Sequence, residues 1–301
     1  MGAAKFLRGL VRVTGQPRLR VIVNTGDDEE FYGLHVSPDL DTIVYTLAGA
    51  SNPTTRWGLE GESFNTLGAL ARFYGRAWFN LGDRDLATHL FRTERMRAGE
   101  PLSRITAEIA RSYGMRAQVM PMSDERVRTF VKVRGRAAMP FQEYFVRRRF
   151  RGTVERIELR GAERARPLGA ALRAIRDSEA VIIAPSNPFV SIGPILALRG
   201  MREAMRRARP RVAAISPIVG GKAIKGPAAK MLRALGHQAS ALGVARLYRD
   251  LCAVFVLDNA DRRTAAAIEK LGMRAVVTDI IMADETRSAR LAGVVLRALE
   301  V

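Results

Sequence analysis

Apolar positions along the 301-residue chain alternate between short runs and longer segments with helical spacing. The short runs predict strands over 19–24, 117–120, 127–133, 153–159, 180–184, 212–216, 253–257 and 275–278. The helical periods predict helices over 39–49, 63–74, 84–98, 102–113 and 284–299. Because strands and helices alternate, the pattern predicts an α/β fold that is Rossmann-like, doubly wound and built on a mainly parallel sheet.

The middle of the chain is more helical and less regular than the rest. We therefore predict a nucleotide- and phosphate-binding core formed by residues 1–60 and 166–301, with 61–165 as an inserted, mostly helical or mixed subdomain. Ligands of doubly wound sheets bind beyond the carboxyl ends of the strands. The residues that directly follow each strand are the first candidates for chemistry.

Composition narrows the functional classes. Cys252 is the single cysteine, which excludes an intrachain disulfide and a cysteine-based metal site. No apolar run approaches the roughly 18 residues of a membrane span, and MGAAKFLRGL lacks the apolar region of a signal peptide. We expect a cytoplasmic protein that binds no membrane.

The net charge of +19 leaves a nucleic-acid-binding module as one alternative. The arginines are spread along the chain, and no helix-turn-helix, zinc-finger or aromatic ribonucleoprotein motif accompanies them. A basic surface also suits a small polyanionic substrate. We therefore expect no nucleic acid as partner.

Acidic residues crowd the segment after the first predicted strand. NTGDDEE (24–30) and SPDLDT (37–42) together contribute Asp27, Asp28, Glu29, Glu30, Asp39 and Asp41. Crowded carboxylates repel one another unless a proton or cation intervenes, and magnesium held by two of them with substrate phosphates would resolve this. The alternative is structural: Ser37 caps the helix, and the two later aspartates complement its dipole.

Three loops could bind anions or a nucleotide. GAAKFLRG (2–9) resembles the end of a glycine-rich loop that brings Lys5 to phosphates. PSNPFVSIGP (185–194) offers hydrogen-bonding side chains for a base or ribose, or is a turn with Ser191 as a helix N-cap. SPIVGGKAIKGP (216–227) is either an anion cradle or an exposed basic loop. It is not a Walker A motif, because Pro227 follows Gly226.

The segment NLGDRDLATH (80–89) is the last candidate. Asp83 would cap the following helix, whereas Arg84 and His89 could reach a phosphate or an acid group. The three histidines show no metal-ligand spacing, and we assign none of them to catalysis.

Together these stretches resemble the 2-phospho-L-lactate transferase family, which includes phosphoenolpyruvate transferases. The resemblance covers essentially the whole chain and is most specific over 24–49, 81–103, 185–196 and 216–232. It implies a transferase of coenzyme F-420 biosynthesis that requires Mg²⁺. The donor would be a guanosine diphosphate ester of phospholactate, enolpyruvate or glycerate. The acceptor would be the terminal hydroxyl of 7,8-didemethyl-8-hydroxy-5-deazariboflavin, with release of GMP from a homodimeric enzyme.

The resemblance also implies roles for residues. Asp27, Asp28 and Asp39 would hold the metal and organise the phosphates. Asp41 would hold and deprotonate the attacking hydroxyl, and Asp39 is the second expected catalytic residue. The substrate-binding set comprises Asn80, Asp83 and Arg84 on the deazaflavin side, Ser186, Asn187 and Ser191 on the guanosine, Lys5, Lys222 and Lys225 on phosphates, and Asn24 and Thr25.

One departure from the family pattern concerns the amino terminus. Family members begin with an apolar strand and a longer glycine-rich loop, whereas here Met1 falls inside that loop and the strand is absent. A start codon assigned too late would explain this, and we expect residues 1–301 alone to be destabilised and to bind nucleotide poorly. A non-catalytic nucleotide- or nucleotide-sugar-binding regulator remains the alternative function. Such a protein is expected to lack the complete pair of acidic motifs.

Overall fold

The computed structural model describes residues 2–54, 57–75 and 77–301. Its α-helices are α1 (Gly2–Thr14), α2 (Pro38–Leu47), α3 (Asn65–Tyr74), α4 (Asp83–Arg97), α5 (Leu102–Ser112), α6 (Gly169–Asp177), α7 (Gly193–Ala197), α8 (Met201–Ala208), α9 (Ala228–Ala234), α10 (Ala241–Tyr248), α11 (Ala265–Glu269) and α12 (Glu285–Ala298). Its strands are β1 (Arg20–Val23), β2 (Glu29–Phe31), β3 (Leu34–Val36), β4 (Gln118–Pro121), β5 (Arg128–Val133), β6 (Met139–Pro140), β7 (Val154–Arg160), β8 (Val181–Ile183), β9 (Val212–Ile215), β10 (Ile218–Val219), β11 (Lys222–Ala223), β12 (Val254–Asp258) and β13 (Arg274–Thr278).

The strands form two parallel sheets and three small antiparallel ones. A four-stranded parallel sheet has the order β13-β12-β9-β8, and β1 pairs in parallel with β4. The antiparallel elements are the hairpins β2–β3 and β10–β11 and the sheet β6-β5-β7. The predicted α/β class with mainly parallel core strands is confirmed.

Helices cover both faces of the four-stranded sheet because its central strands are apolar on both sides. Ile215 and Val256 point into one core cluster, which also contains side chains of α1, α2, α5 and α12. Ala214 and Phe255, their chain neighbours, point into a second cluster with α6, α8, α9 and α10. This alternation is what period-two strands between two helical layers require.

The predicted inserted range contributes to the core region. Strand β4 lies within 61–165 and pairs with β1, which belongs to the predicted core. Helices α3, α4 and α5 and the sheet β6-β5-β7 come from the same range. The domain boundaries stay a prediction.

A cleft of about 990 Å³ separates the two parallel sheets. It is lined by every residue of β1 and β8, strands for which the described residues show no partner on the facing edges. At one end, Arg18 and Glu179 approach to 3.5 Å; at the other, the Asn24 amide donates to the Val190 carbonyl at 3.3 Å. The two strands therefore run in the same direction on either side of the cleft.

Helix α1 closes one side of this cleft and is held by two close approaches. A Cβ at Gly9 would stand 2.2 Å from the Ser288 backbone of α12, and one at Gly2 would stand 2.2 Å from the carbonyl oxygen of Pro185. Glycine at both positions lets α1 lie against α12 and begin directly beside the loop that follows β8. In the described ranges, no helix is both long and apolar enough to cross a membrane.

Candidate active site

Asn24 organises the residues that follow β1. Its side-chain oxygen accepts from the Gly26 amide at 2.8 Å, which turns the chain toward the two aspartates that come next. Its amide nitrogen donates to Asp39 Oδ2 at 3.0 Å and to the Val190 carbonyl. One buried amide thereby connects the end of β1, the start of α2 and the loop after β8.

The hairpin β2–β3 returns the chain so that its second strand lies beside Asp28. The carboxylate of Asp28 accepts from Ser37 Oγ at 2.7 Å and lies 3.0 Å from His35 Nε2. Ser37 precedes α2, but its hydroxyl makes no bond to the helix backbone. Ser37 therefore occupies the N-cap position, as the structural alternative held, but its side chain does not cap the helix because it donates to Asp28 instead. Asp39 and Asp41 do occupy the first turn of α2, as the sequence indicated.

Burial and mutual repulsion perturb these carboxyl groups. Burial raises the pKa of Asp27 well above its ordinary value, and the negative charge of Asp39 adds to the effect. Burial likewise raises the pKa of Asp28 and of Asp39. Within the turn 25–28, three buried acceptors have no hydrogen-bond partner: Asp27 Oδ1, Asp28 Oδ1 and Thr25 Oγ1. Unpaired buried oxygens on two aspartates are the donor set that a hard cation such as Mg²⁺ prefers.

Asp41 faces a different environment. Both of its carboxylate oxygens accept hydrogen bonds from Arg92 of α4, with Arg92 Nη1 lying 3.1 Å from Asp41 Oδ2. Burial lowers the pKa of Arg92, but the charge of Asp41 raises it above its ordinary value. Arg92 therefore remains a cation. Sequence reasoning missed Arg92 entirely.

Asp41, Asp85 and His89 could by themselves hold a metal, since one ligand atom from each lies within 4.8 Å of the others. Two features argue against Mg²⁺ there. The Arg92 guanidinium already neutralises Asp41, and His89 offers nitrogen where Mg²⁺ favours oxygen. The turn containing Asp27 and Asp28 fits the ion better.

The segment 80–89 is arranged differently from the prediction. Asp83 is the first residue of α4, whose N-cap is Gly82, and its carboxylate accepts from the Thr66 amide at 2.9 Å and the Asn65 amide at 3.0 Å. Asp83 thus caps α3, and the prediction that it caps α4 is wrong. The backbone of α4 is capped by Glu62, which accepts from the Arg84 amide at 2.7 Å.

The predicted residues of the loop after β8 do not all face the same way. Ser186 and Ser191 line the cleft together with Asn24 and Asp39, whereas Asn187 Oδ1 accepts from the Phe189 amide at 2.9 Å. Ser191 lies inside the turn Pro188–Ile192 and is not a helix N-cap, so that prediction is wrong.

The predicted basic and acceptor-side residues lie elsewhere. Lys5 donates to the Met282 carbonyl at 2.9 Å and lines a second cavity of about 320 Å³ beside α1. Lys222 and Lys225 are exposed on and after β11, and Asn80 and Arg84 are exposed near the start of α4. Arg84 donates to the Glu60 carbonyl.

Comparison with known proteins decides the family. The family model described as "2-phospho-L-lactate transferase CofD" matches residues 1–295. The chain belongs to this family. Curated relatives agree with that assignment over nearly their full length. A phosphoenolpyruvate transferase of Kitasatospora aureofaciens is 40% identical, with 100% of this chain and 95% of the relative covered. A 2-phospho-L-lactate transferase of Methanosarcina mazei is 36% identical, with 99% and 97% covered.

A solved structure from Bacillus halodurans, of a member of the family called upf0052, has the same fold. Its TM-score is 0.63 at 15% identity, with 98% of this chain and 96% of that chain covered. This likeness shows the fold alone. The sequence similarity to relatives named 2-phospho-L-lactate transferase shows that the chain is an enzyme of this type. This assignment supports a role as a transferase in F-420 biosynthesis.

Proposed function

We propose that the protein transfers a phospho-acid unit from a guanosine diphosphate-linked donor to the terminal hydroxyl of 7,8-didemethyl-8-hydroxy-5-deazariboflavin. Several relatives named phosphoenolpyruvate transferase are 37–40% identical, and two named 2-phospho-L-lactate transferase are 36% and 37% identical. We therefore expect the enolpyruvyl donor to react best, ahead of the lactyl and glyceryl donors. The observation that carries the proposal is the buried acidic turn at the carboxyl end of β1, in a chain that matches the family throughout.

Magnesium is part of this proposal. Asp27 and Asp28 would hold it, since each has a buried carboxylate oxygen without a hydrogen-bond partner among the described residues. When bound, the ion would neutralise charge on the donor's phosphates. Thr25 Oγ1, a third unpaired acceptor, stands beside them in the same turn.

The reaction is an exchange of one P–O bond for another. The deazaflavin hydroxyl oxygen bonds to the phosphorus nearer the acid unit, the bond from that phosphorus to the bridging oxygen breaks, and GMP leaves with that oxygen. Asp41 would hold the hydroxyl. We assign the hydroxyl proton to Asp39, because burial raises its pKa, whereas both Asp41 oxygens already accept from Arg92. Phosphoryl transfer depends mainly on positioning and charge neutralisation, so this division suffices.

The substrate contacts follow the remaining assignments. Asn80, Asp83 and Arg84 would line the deazaflavin side. Ser186, Asn187 and Ser191, with Asn24 and Thr25, would contact the guanosine diphosphate part of the donor, and Lys5, Lys222 and Lys225 would face phosphates. Asn24 supports this arrangement, since it hydrogen-bonds both Asp39 and the loop after β8.

The test is turnover followed by mass spectrometry. The protein, Mg²⁺ and the deazaflavin alcohol would be incubated in parallel with the enolpyruvyl, lactyl and glyceryl donors. We expect a product that carries one acid unit and an equal amount of GMP, fastest with the enolpyruvyl donor. A folded protein that binds the donors but releases no GMP from any of them would overturn the proposal, and a different fastest donor would correct the order of preference.

We also propose a homodimer in the cytoplasm, on the family resemblance alone. Light scattering coupled to size-exclusion chromatography would report the mass directly. A mass of one chain across the accessible concentration range would contradict the dimer without touching the proposed chemistry.

A further inference from the structure

Helix α4 buries charged side chains on one face. Asp85, His89 and Arg92 are only 4%, 1% and 1% exposed, and we call them the α4 polar face. Their spacing of four and then three residues places them on one side of a helix. Charged side chains are almost never buried to this degree unless they are paired.

The α4 polar face forms one connected network that begins and ends on α2. Arg92 donates to both oxygens of Asp41, and Arg92 Nη1 donates to His89 Nδ1 at 3.2 Å. His89 Nε2 lies 3.3 Å from Asp85 Oδ2. Tyr45, one turn after Asp41 on α2, donates to Asp85 Oδ1 at 2.7 Å. The network is therefore hydrogen-bonded to α2 at two residues that lie one turn apart.

The geometry of Arg92 is specific. A guanidinium presents two parallel N–H groups that match the two oxygens of a carboxylate, so it fixes the plane of that carboxylate as well as its position. His89 and Asp85 behind it restrict the guanidinium in turn. Apolar side chains of similar volume would pack α2 on α4 at no electrostatic cost, so packing alone does not explain this set of residues.

We propose that Arg92 is a positioning residue, which fixes the Asp41 carboxylate in the plane that receives the acceptor hydroxyl, with His89 and Asp85 fixing Arg92. This rests on the proposed role of Asp41.

Two substitutions at Arg92 and one matched control test the proposal. Arg92→Met should lower kcat at least about 100-fold, because a misplaced carboxylate loses the aligned hydroxyl. The KM for the donor should stay nearly unchanged. Arg92→Lys should recover only part of kcat, since one ammonium group cannot replace the two parallel N–H groups of the guanidinium. Arg95→Met removes a neighbouring arginine of α4 that pairs with Glu100 and Glu108, and should stay within about twofold of the parent.

A double variant distinguishes the positioning role of Arg92 from an effect on the fold. Asp41→Asn with Arg92→Met leaves no lone buried charge at this pair. In the Asp41→Asn background, Arg92→Met should lower kcat by less than about threefold, since the group it positions is already altered. Circular dichroism and thermal unfolding would verify the fold of each variant, and fluorescence titration would give the affinity for the deazaflavin alcohol.

The outcomes separate the two proposals. A parent that makes product, together with an Arg92→Met variant of unchanged kcat and acceptor affinity, would overturn the positioning role alone. Equal, additive losses in the parent and Asp41→Asn backgrounds would also overturn it, because they would show a purely structural contribution. A parent that neither makes product nor binds the acceptor would overturn both proposals.

Discussion

Asp27 is a proposed Mg²⁺ ligand, and its buried carboxylate also destabilises the folded protein. Burial and the charge of Asp39 raise its pKa, so the folded chain disfavours the ionised form. In the metal-free protein this group lowers the stability as the pH rises from the unfolded-state pKa, about 3.9, through the higher folded-state pKa. Asp27→Asn should therefore raise the free energy of unfolding by about 1–3 kcal/mol at neutral pH. The gain should vanish below about pH 4, and turnover should fall at least about 100-fold.

Thermal unfolding at several pH values, with and without Mg²⁺, would measure this. Asp250→Asn is the matched control with the opposite sign. Burial raises the pKa of Asp250, but hydrogen bonds from Arg206 and Arg202 lower it below its ordinary value. This variant should lose stability at neutral pH and keep its response to Mg²⁺. An Asp27→Asn protein that Mg²⁺ stabilises as much as the parent would argue against the assigned metal site.

Individual residues also show where sequence reasoning reaches its limit. Asp27, Asp28 and Asn24 could be found because they follow a strand, and position along the chain then determines position in the sheet. Arg92 could not be found the same way, since its partner Asp41 is 51 residues away. One signal was available: Asp85, His89 and Arg92 lie on the same side of α4 as the apolar Leu86, which is buried with them. Charged residues at that spacing usually face solvent, and only the position of α2 shows that they are buried.

Among the elements, α3 depends on α4 for its attachment. Leu67 is the only residue of α3 counted as buried, so few apolar contacts hold this helix. Asp83 accepts from Ser63 Oγ at 2.7 Å and from the first two backbone amides of α3. The Ser63 bond and the Thr66 bond lower the pKa of Asp83, so the cap persists to a lower pH than an ordinary aspartate would allow.

Asp83→Ala should open α3 locally while the rest of the chain stays folded. We expect amides of α3 to exchange with solvent about fivefold faster or more, measured by hydrogen exchange with mass spectrometry. Asp284→Ala is the control, since Asp284 caps α12 through the Arg287 amide at 2.8 Å and should affect α12 only. Unchanged exchange in α3 would show that other contacts hold it.

The elements were largely predictable, and the exceptions have a physical cause. The strands β1, β9 and β12 and the helices α4 and α5 lie within one or two residues of their predicted bounds, because period and length were unambiguous. The hairpin β2–β3 was missed. Phe31 pairs with Leu34, which leaves Tyr32 and Gly33 as a two-residue turn with positive φ angles of 54° and 76°. Such turns favour Asn-Gly, and a tyrosine at the first position carries no such signal.

At the scale of the whole molecule, the strands β1 and β8 on either side of the cleft are less buried than the central strands of the four-stranded sheet. Val21, Ile22, Val181 and Ile182 remain only partly buried there, whereas all of β9 and β12 is buried. Among the described residues, β1 and β8 have no partner strand on the edges that face the cleft, and these parallel edges match the backbone of one further strand between them. The sequence could predict the strands on both sides, but not the width of the space between them, because that is set by α1 and the helices packed around it.

A short apolar strand fused ahead of Gly2 should therefore bind in this cleft and join the two parallel sheets. Its carboxyl end would meet Gly2, which stands beside Pro185 at the end of β8. Burying three or four aliphatic side chains, offset by ordering their backbone, should raise the free energy of unfolding by about 2–4 kcal/mol.

Urea unfolding would show a higher midpoint and a larger m-value, since more surface becomes buried. A glycine–serine extension of equal length is the control and should leave both unchanged. Because the cleft ends at Asn24, Asp39 and Ser191, the apolar extension should also tighten binding of a guanine nucleotide with Mg²⁺, measured by calorimetry. Equal midpoints for the two extensions would mean that the cleft does not accept a strand.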